Sequence, residues 1–161
     1  MKNIYAIDPG SEKSAIVHIG PNGITGAIKD NYAMLMHLEM LTCGHLSIEM
    51  IASYGMPVGK EIFETCVWIG RFIQAWEGGY TKIYRKDVKM HLCGSTKAKD
   101  SNIRQALIDR YGPGRDKAIG LRKAQGPLYG FSKDMWAALA VAVTYMDMDP
   151  LSETYNIQGV I

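Results

Sequence analysis

The chain has 161 residues, 47% of them hydrophobic and 21% charged, enough apolar material for one core and too little length for two ordinary domains. No apolar run approaches the ~20 residues needed to cross a bilayer, so no membrane span is expected. The formal net charge of +2 conceals an asymmetry, because residues 82–123 hold twelve Lys/Arg against four Asp, a density that suits phosphate neutralisation on nucleic acid and equally suits a solvated helical face.

Met1-Lys2-Asn3 leads straight into strand-like sequence instead of a signal peptide, so a cytoplasmic protein is expected. Cys43, Cys66 and Cys93 are odd in number and widely spaced. They suit neither a disulfide framework nor a zinc knuckle, and buried thiols are expected.

In chain order, residues 3–8, 14–19 and 24–28 are short β-branched segments separated by Pro9-Gly10 and Pro21-Asn22-Gly23, the pattern of a three-strand meander. Tyr32, Leu35, Met36, Glu39 and Met40 repeat at helical spacing. His45–Ala52 then returns to strand character. Beyond a glycine- and proline-rich break at 54–59, Ile62, Phe63, Cys66, Val67, Gly70, Ile73 and Trp76 predict an amphipathic helix with that face buried. Tyr80–Tyr84 supplies a fifth strand. In the basic region Asp100 is placed to cap a helix carrying Ile103, Leu107 and Tyr111. Residues 113–131, rich in glycine, proline and charge, read as a long surface loop, mobile unless held by a partner. A last helix follows Ser132, with Met135, Leu139, Ala142, Val143 and Met146 on its buried side, and a tail is expected over 148–161. Meander pairing is antiparallel and helical crossovers favour parallel pairing, so the fold class is α/β, a mixed five-stranded sheet flanked by helices.

Three acids stand out against this framework. Asp8 ends an apolar strand at a Pro-Gly turn, which brings its carboxylate to a strand end. Glu49 lies inside HLSIEMIA, where an acid is costly to bury unless it is paired, protonated or bound to a metal. Asp134 falls in the first turn of the last helix, where the helix dipole favours it in any case. Three carboxylates beside a basic block are what phosphodiester hydrolysis uses, since hard Mg²⁺ takes oxygen ligands and lysines hold the backbone.

The segment YAIDPGSEKSAIVHI is similar to the first-strand motif of the RuvC-type Holliday junction resolvases of the ribonuclease H-like superfamily. HLSIEMIA resembles their glutamate strand. YRKDVKMHLCGSTKAKDSNIRQALIDRYG resembles their basic region, and SKDMWAALAVAVTY their terminal acidic helix. Together these stretches cover about half the chain in the family's order. The resemblance implies a ribonuclease H-like domain over residues 1–147 and cleavage of branched DNA with Mg²⁺ or Mn²⁺ by a homodimer, without an organic cofactor. It implies Asp8, Glu49 and Asp134 as metal ligands, Lys89 and Lys99 as basic active-site residues, and Tyr54 as an aromatic that stacks on a base. Lys97, Arg104, Arg115, Lys117, Arg122 and Lys123 fall to the DNA backbone.

Two departures accompany the resemblance. The family carries a second acid three residues along the terminal helix, where this chain has Ala137. A weaker second metal site, a ligand such as Glu12 or Asp87 arriving from elsewhere, and reduced activity are each compatible with that departure. The aromatic of the family lies nearest Ala52, with Tyr54 slightly further on. Such departures suit a bacteriophage member acting in the host cytoplasm. Three other readings compete: an RNA-processing nuclease of the same superfamily, a branched-DNA-binding protein that has lost catalysis, and the phosphate turn of an actin-like ATPase, which length opposes because such enzymes need two domains.

Overall fold

The computed structural model describes residues 3–148. Five strands, β1 (Ile4–Asp8), β2 (Lys13–Gly20), β3 (Gly23–Asp30), β4 (His45–Met50) and β5 (Gly79–Tyr84), form one mixed sheet in the order β3-β2-β1-β4-β5. The meander pairs antiparallel, and β1–β4 and β4–β5 pair parallel, as the alternation of hairpins and crossovers predicts. Helices α1 (Asn31–Glu39), α2 (Lys60–Ala75), α3 (Arg85–Cys93), α4 (Asp100–Tyr111), α5 (Arg115–Ala118) and α6 (Lys133–Met148) surround it, with a two-stranded ribbon of β6 (Gly120–Leu121) and β7 (Ala124–Gln125).

Strand side chains alternate between faces, so the sheet builds two cores. On one side Tyr5, Ile7, Ile16, Leu46 and Ile48 pack with Met34 and Leu38 of α1 and Trp68, Ile69 and Phe72 of α2. On the other, Ile4, Ala6, Ala15, Val17 and Ile19 pack with α6 and α4. Ala138 to Val143 of α6 are all fully buried. Small side chains at 138, 140 and 142 let this helix lie close to the sheet, and Leu139, Val141 and Val143 fill the space between neighbours. Removing the buried Leu139 side chain would cost about 2–5 kcal/mol.

Several details differ from the sequence expectation. The buried face of α2 is Thr65, Trp68, Ile69 and Phe72, not the stripe through Phe63, Val67 and Gly70. In α1, whose spacing left the buried face open, Met34 and Leu38 are buried while Tyr32, Met36 and Met40 face solvent. Both helices carry apolar side chains on two faces, so periodicity alone does not choose between them. Strand β4 ends at Met50, two residues early. The segment 85–93, without an expected element, is α3, ended by Gly94 in the left-handed conformation with φ 67°. Asp100 is the first residue of α4, whose N-cap is Lys99.

The glycine-rich stretch 113–131 is not a plain loop. It holds α5 and the β6–β7 ribbon, tied by Gly126 N–H to the Ile119 carbonyl and Leu128 N–H to the Ala118 carbonyl, both at 2.9 Å, with Ala118 and Leu128 buried. None of the cysteines is fully buried, and Cys43 is exposed. Except for Met148, which ends α6, the tail expected over 148–161 lies outside the described residues.

Candidate active site

Asp8 and Glu49 are brought together by strand parity. Ile7 stands beside Ile48 in the parallel β1–β4 register, so the next residues, Asp8 and Glu49, share the following level at the C-terminal ends of two neighbouring strands. Both have the parity of Ala6 and Ser47, opposite to Ile7 and Ile48, and so project towards α6. The first turn of α6 then brings Asp134 over the same sheet end. All three line one cleft of about 730 Å³, together with Arg85, Asp100, Ser101, Ile103, Arg104, Lys133, Trp136 and Ala137.

The turn that presents Asp8 is fixed by a closed ring of hydrogen bonds. Gly10 N–H donates to Ser14 Oγ at 3.1 Å, the Ser14 hydroxyl donates to Asn31 Oδ1 at 2.7 Å, and Asn31 Nδ2 donates to the Gly10 carbonyl at 2.9 Å. Ser14 and Asn31 are buried, which makes these bonds costly to lose. A Cβ at residue 10 would collide with the Lys13 carbonyl, so Gly10 permits the close return of the chain.

Negative charge accumulates at the sheet end. Burial, followed by repulsion from Glu49 and Asp134, pushes the Asp8 carboxyl up to about 7, against a smaller pull from Arg85. Burial likewise raises Glu49, while the Arg85 guanidinium draws it back. Arg85, at the start of α3, reaches both acids of its neighbourhood: its Nη1 lies 3.5 Å from Glu49 Oε2 and its Nη2 donates to Asp100 Oδ1 at 2.5 Å. The Arg104 guanidinium lies over the Trp136 ring, 4.8 Å from its centre, so a cation is held against the aromatic wall of the cleft.

Of the expected site residues, the cleft gathers Asp8, Glu49, Asp134 and Arg104. Lys89 is half-buried on α3, close enough to lower the Glu49 carboxyl. Lys97 and Lys99 are exposed in the α3–α4 connection, outside the cleft lining. Arg115 and Lys117 on α5, and Arg122 and Lys123 in the β6–β7 turn, are exposed and away from the cleft lining. Tyr54 stands in the exposed β4–α2 loop with a left-handed φ of 49°. Neither Glu12 nor Asp87 lines the cleft.

Arg85, Asp100 and Lys133 are cleft residues that the motifs did not single out. Asp100 passed for a helix cap, and Arg85 lay in a segment with no apolar periodicity. The one signal available for Arg85 and Asp100 was their place in the basic block over residues 82–123.

Among the described residues no three His, Cys, Asp or Glu side chains converge closely enough to hold a metal ion as they stand. The chemistry of the donor set nevertheless fits a hard divalent cation. Four carboxylates, Asp8, Glu49, Asp100 and Asp134, line one cleft, and the repulsion that the others exert on Asp8 is what a bound cation would relieve.

The sheet order, the strand-end acids and the covering α6 define the class, a ribonuclease H-like α/β fold. More narrowly, the fold is that of RuvC-type resolvases. A Thermus thermophilus RuvC structure superposes with a TM-score of 0.63 at 15% identity, covering 91% of this chain and 96% of that one. A second, T. thermophilus RuvC in complex with a Holliday junction substrate, gives 0.64 at 16% identity, covering 92% and 96%. No family model matches the chain, and no curated protein matches it.

Proposed function

We propose that this chain is a divalent-metal-dependent endonuclease that cleaves branched DNA, such as Holliday junctions, by phosphodiester hydrolysis. The observation that carries the reading is the convergence of Asp8, Glu49 and Asp134 on one cleft, in a fold shared with a RuvC whose structure holds a Holliday junction. In this reading residues 1–147 are the nuclease domain and its work is cytoplasmic, in the host cytoplasm if the source is viral. Among the described residues no helix is long and apolar enough to cross a membrane.

Asp8, Glu49 and Asp134 would hold Mg²⁺ or Mn²⁺. When bound, such an ion supplies Lewis-acid polarisation of the scissile phosphate and lowers the pKa of attacking water. The protein's own contribution is placement. The Ser14–Asn31 ring fixes the turn after Asp8, Lys89 adds positive charge beside Glu49, and Arg104, over the Trp136 ring, meets a phosphate entering the cleft. Lys97 and Lys99, then Arg115, Lys117, Arg122 and Lys123, extend positive charge outward for the DNA backbone, and exposed Tyr54 offers a face for base stacking.

Asp8→Asn tests the reading. Nicking of four-way junctions in Mg²⁺ should fall by a factor of ~100 or more, while junction binding in a gel-shift assay persists. Undiminished cleavage would sink the assignment. A second reading, a branched-DNA-binding protein without catalysis, is favoured by one observation, the methyl group of Ala137 on the cleft wall. Tight junction binding with no product in Mn²⁺ would select it.

A further inference from the structure

Arg85 is placed unlike the other cations of the basic block. It is half-buried at the cleft, with its two terminal nitrogens directed at different carboxylates, Glu49 and Asp100. The guanidinium is planar, permanently charged and weakly hydrated, so it can bridge acids as a fixed cation. On the opposite wall, the position one turn beyond Asp134 offers only the methyl of Ala137. The remaining acid of the cleft, Asp100, is already engaged by Arg85.

Resting on the nuclease reading, we propose that Arg85, held by Asp100, supplies the positive charge that a second divalent ion would otherwise bring to this site, so that each chain binds a single catalytic ion. Two ions held about 4 Å apart need carboxylates to separate and share them. Here one such carboxylate is absent and another faces a guanidinium that would repel the second ion. The charge of the cleft agrees. Its lining residues carry four carboxylates, Asp8, Glu49, Asp100 and Asp134, against three cations, Arg85, Arg104 and Lys133. One divalent ion and one entering phosphate leave that set neutral, whereas two ions leave a surplus of positive charge.

Mn²⁺ titration of the full chain, read by electron paramagnetic resonance of the free ion, tests the proposal without reference to activity. The expected result is one Mn²⁺ per chain in the wild type and in Arg85→Lys, which keeps the charge, and two in Arg85→Gln, each variant first shown to be folded by circular dichroism. Two ions in the wild type, or one ion still in Arg85→Gln, would overturn the role of Arg85 and leave the nuclease reading standing. No ion bound by the wild type would overturn both.

Discussion

Asp134 and Ala137 stand three residues apart on α6 and line the same cleft, one with a carboxylate and the other with a methyl group. Positions i and i+3 share a helix face, so residue 137 is where a second α6 ligand would enter. Ala137→Asp is therefore expected to tighten Mn²⁺ binding by about tenfold, since affinity at oxygen-ligand sites follows the number of charged ligands. Isothermal titration calorimetry measures it directly. An unchanged affinity would mean that residue 137 does not reach the ion.

The raised Asp8 carboxyl makes stability depend on pH in a defined direction. Folded and metal-free, Asp8 keeps its proton up to about 7, whereas an ordinary aspartate loses it near 3.8. Between those values the folded chain binds more protons at Asp8 than the unfolded one, so the Asp8 contribution to stability is full below about pH 4 and is lost as pH rises towards 7. The raised Glu49 carboxyl acts in the same sense. The loss attributable to Asp8 is on the order of 4 kcal/mol, and a divalent cation should restore it. Urea denaturation at pH 5 and pH 8 in EDTA should show wild type falling much further than Asp8→Asn. Equal slopes in the two proteins would refute the crowded-carboxylate account.

How legible each part was in the sequence follows from how local its signal is. Asp8 was readable because Pro9-Gly10 fixes a strand end, and Glu49 because an acid inside an apolar strand demands an explanation. Their pairing in space required the parallel β1–β4 register, which no local pattern encodes. Arg85 was invisible because α3 buries only Val88 within its nine residues, too little for a periodic signal. The four-residue α5 and the two-residue strands β6 and β7 are shorter than any period, so a bracing element passed for a loop. The face of α2 was misassigned for the opposite reason, an excess of apolar residues.

Tyr54 combines exposure with a backbone conformation that non-glycine residues seldom adopt. Strain of roughly 1–3 kcal/mol in a loop is tolerated where the residue is used. If the ring stacks on an unpaired base, Tyr54→Ala should weaken junction binding by about 1–3 kcal/mol, while Tyr54→Phe retains it. Fluorescence of 2-aminopurine at the junction centre distinguishes stacking from a general loss of affinity. Quenching by the wild type that survives in Tyr54→Ala would assign the contact elsewhere.

The homodimer that the resemblance implies is most directly tested at the outer face of α2. Phe63 and Val67, at i and i+4, are 62% and 58% exposed, and Tyr32 and Met36 on the adjoining α1 are 65% and 66% exposed. Side chains of this kind, left in water, forgo the roughly 1.5–3 kcal/mol that burial of each would contribute. A two-fold axis beside this face would bury it against its own copy and give a junction two equivalent sites. An interface of ordinary size takes about 800 Å² from each partner, more than these four side chains supply, so neighbouring polar residues must form its rim. Phe63→Lys with Val67→Glu should convert the sedimenting species from dimer to monomer. Because both residues are exposed within the protomer, its own stability should change by less than about 0.5 kcal/mol for each. A monomer in the wild type, or a dimer that survives the double substitution, would place the interface elsewhere. In the expected case the monomer would also test whether nicking of the two strands is coupled, single nicks accumulating if it is.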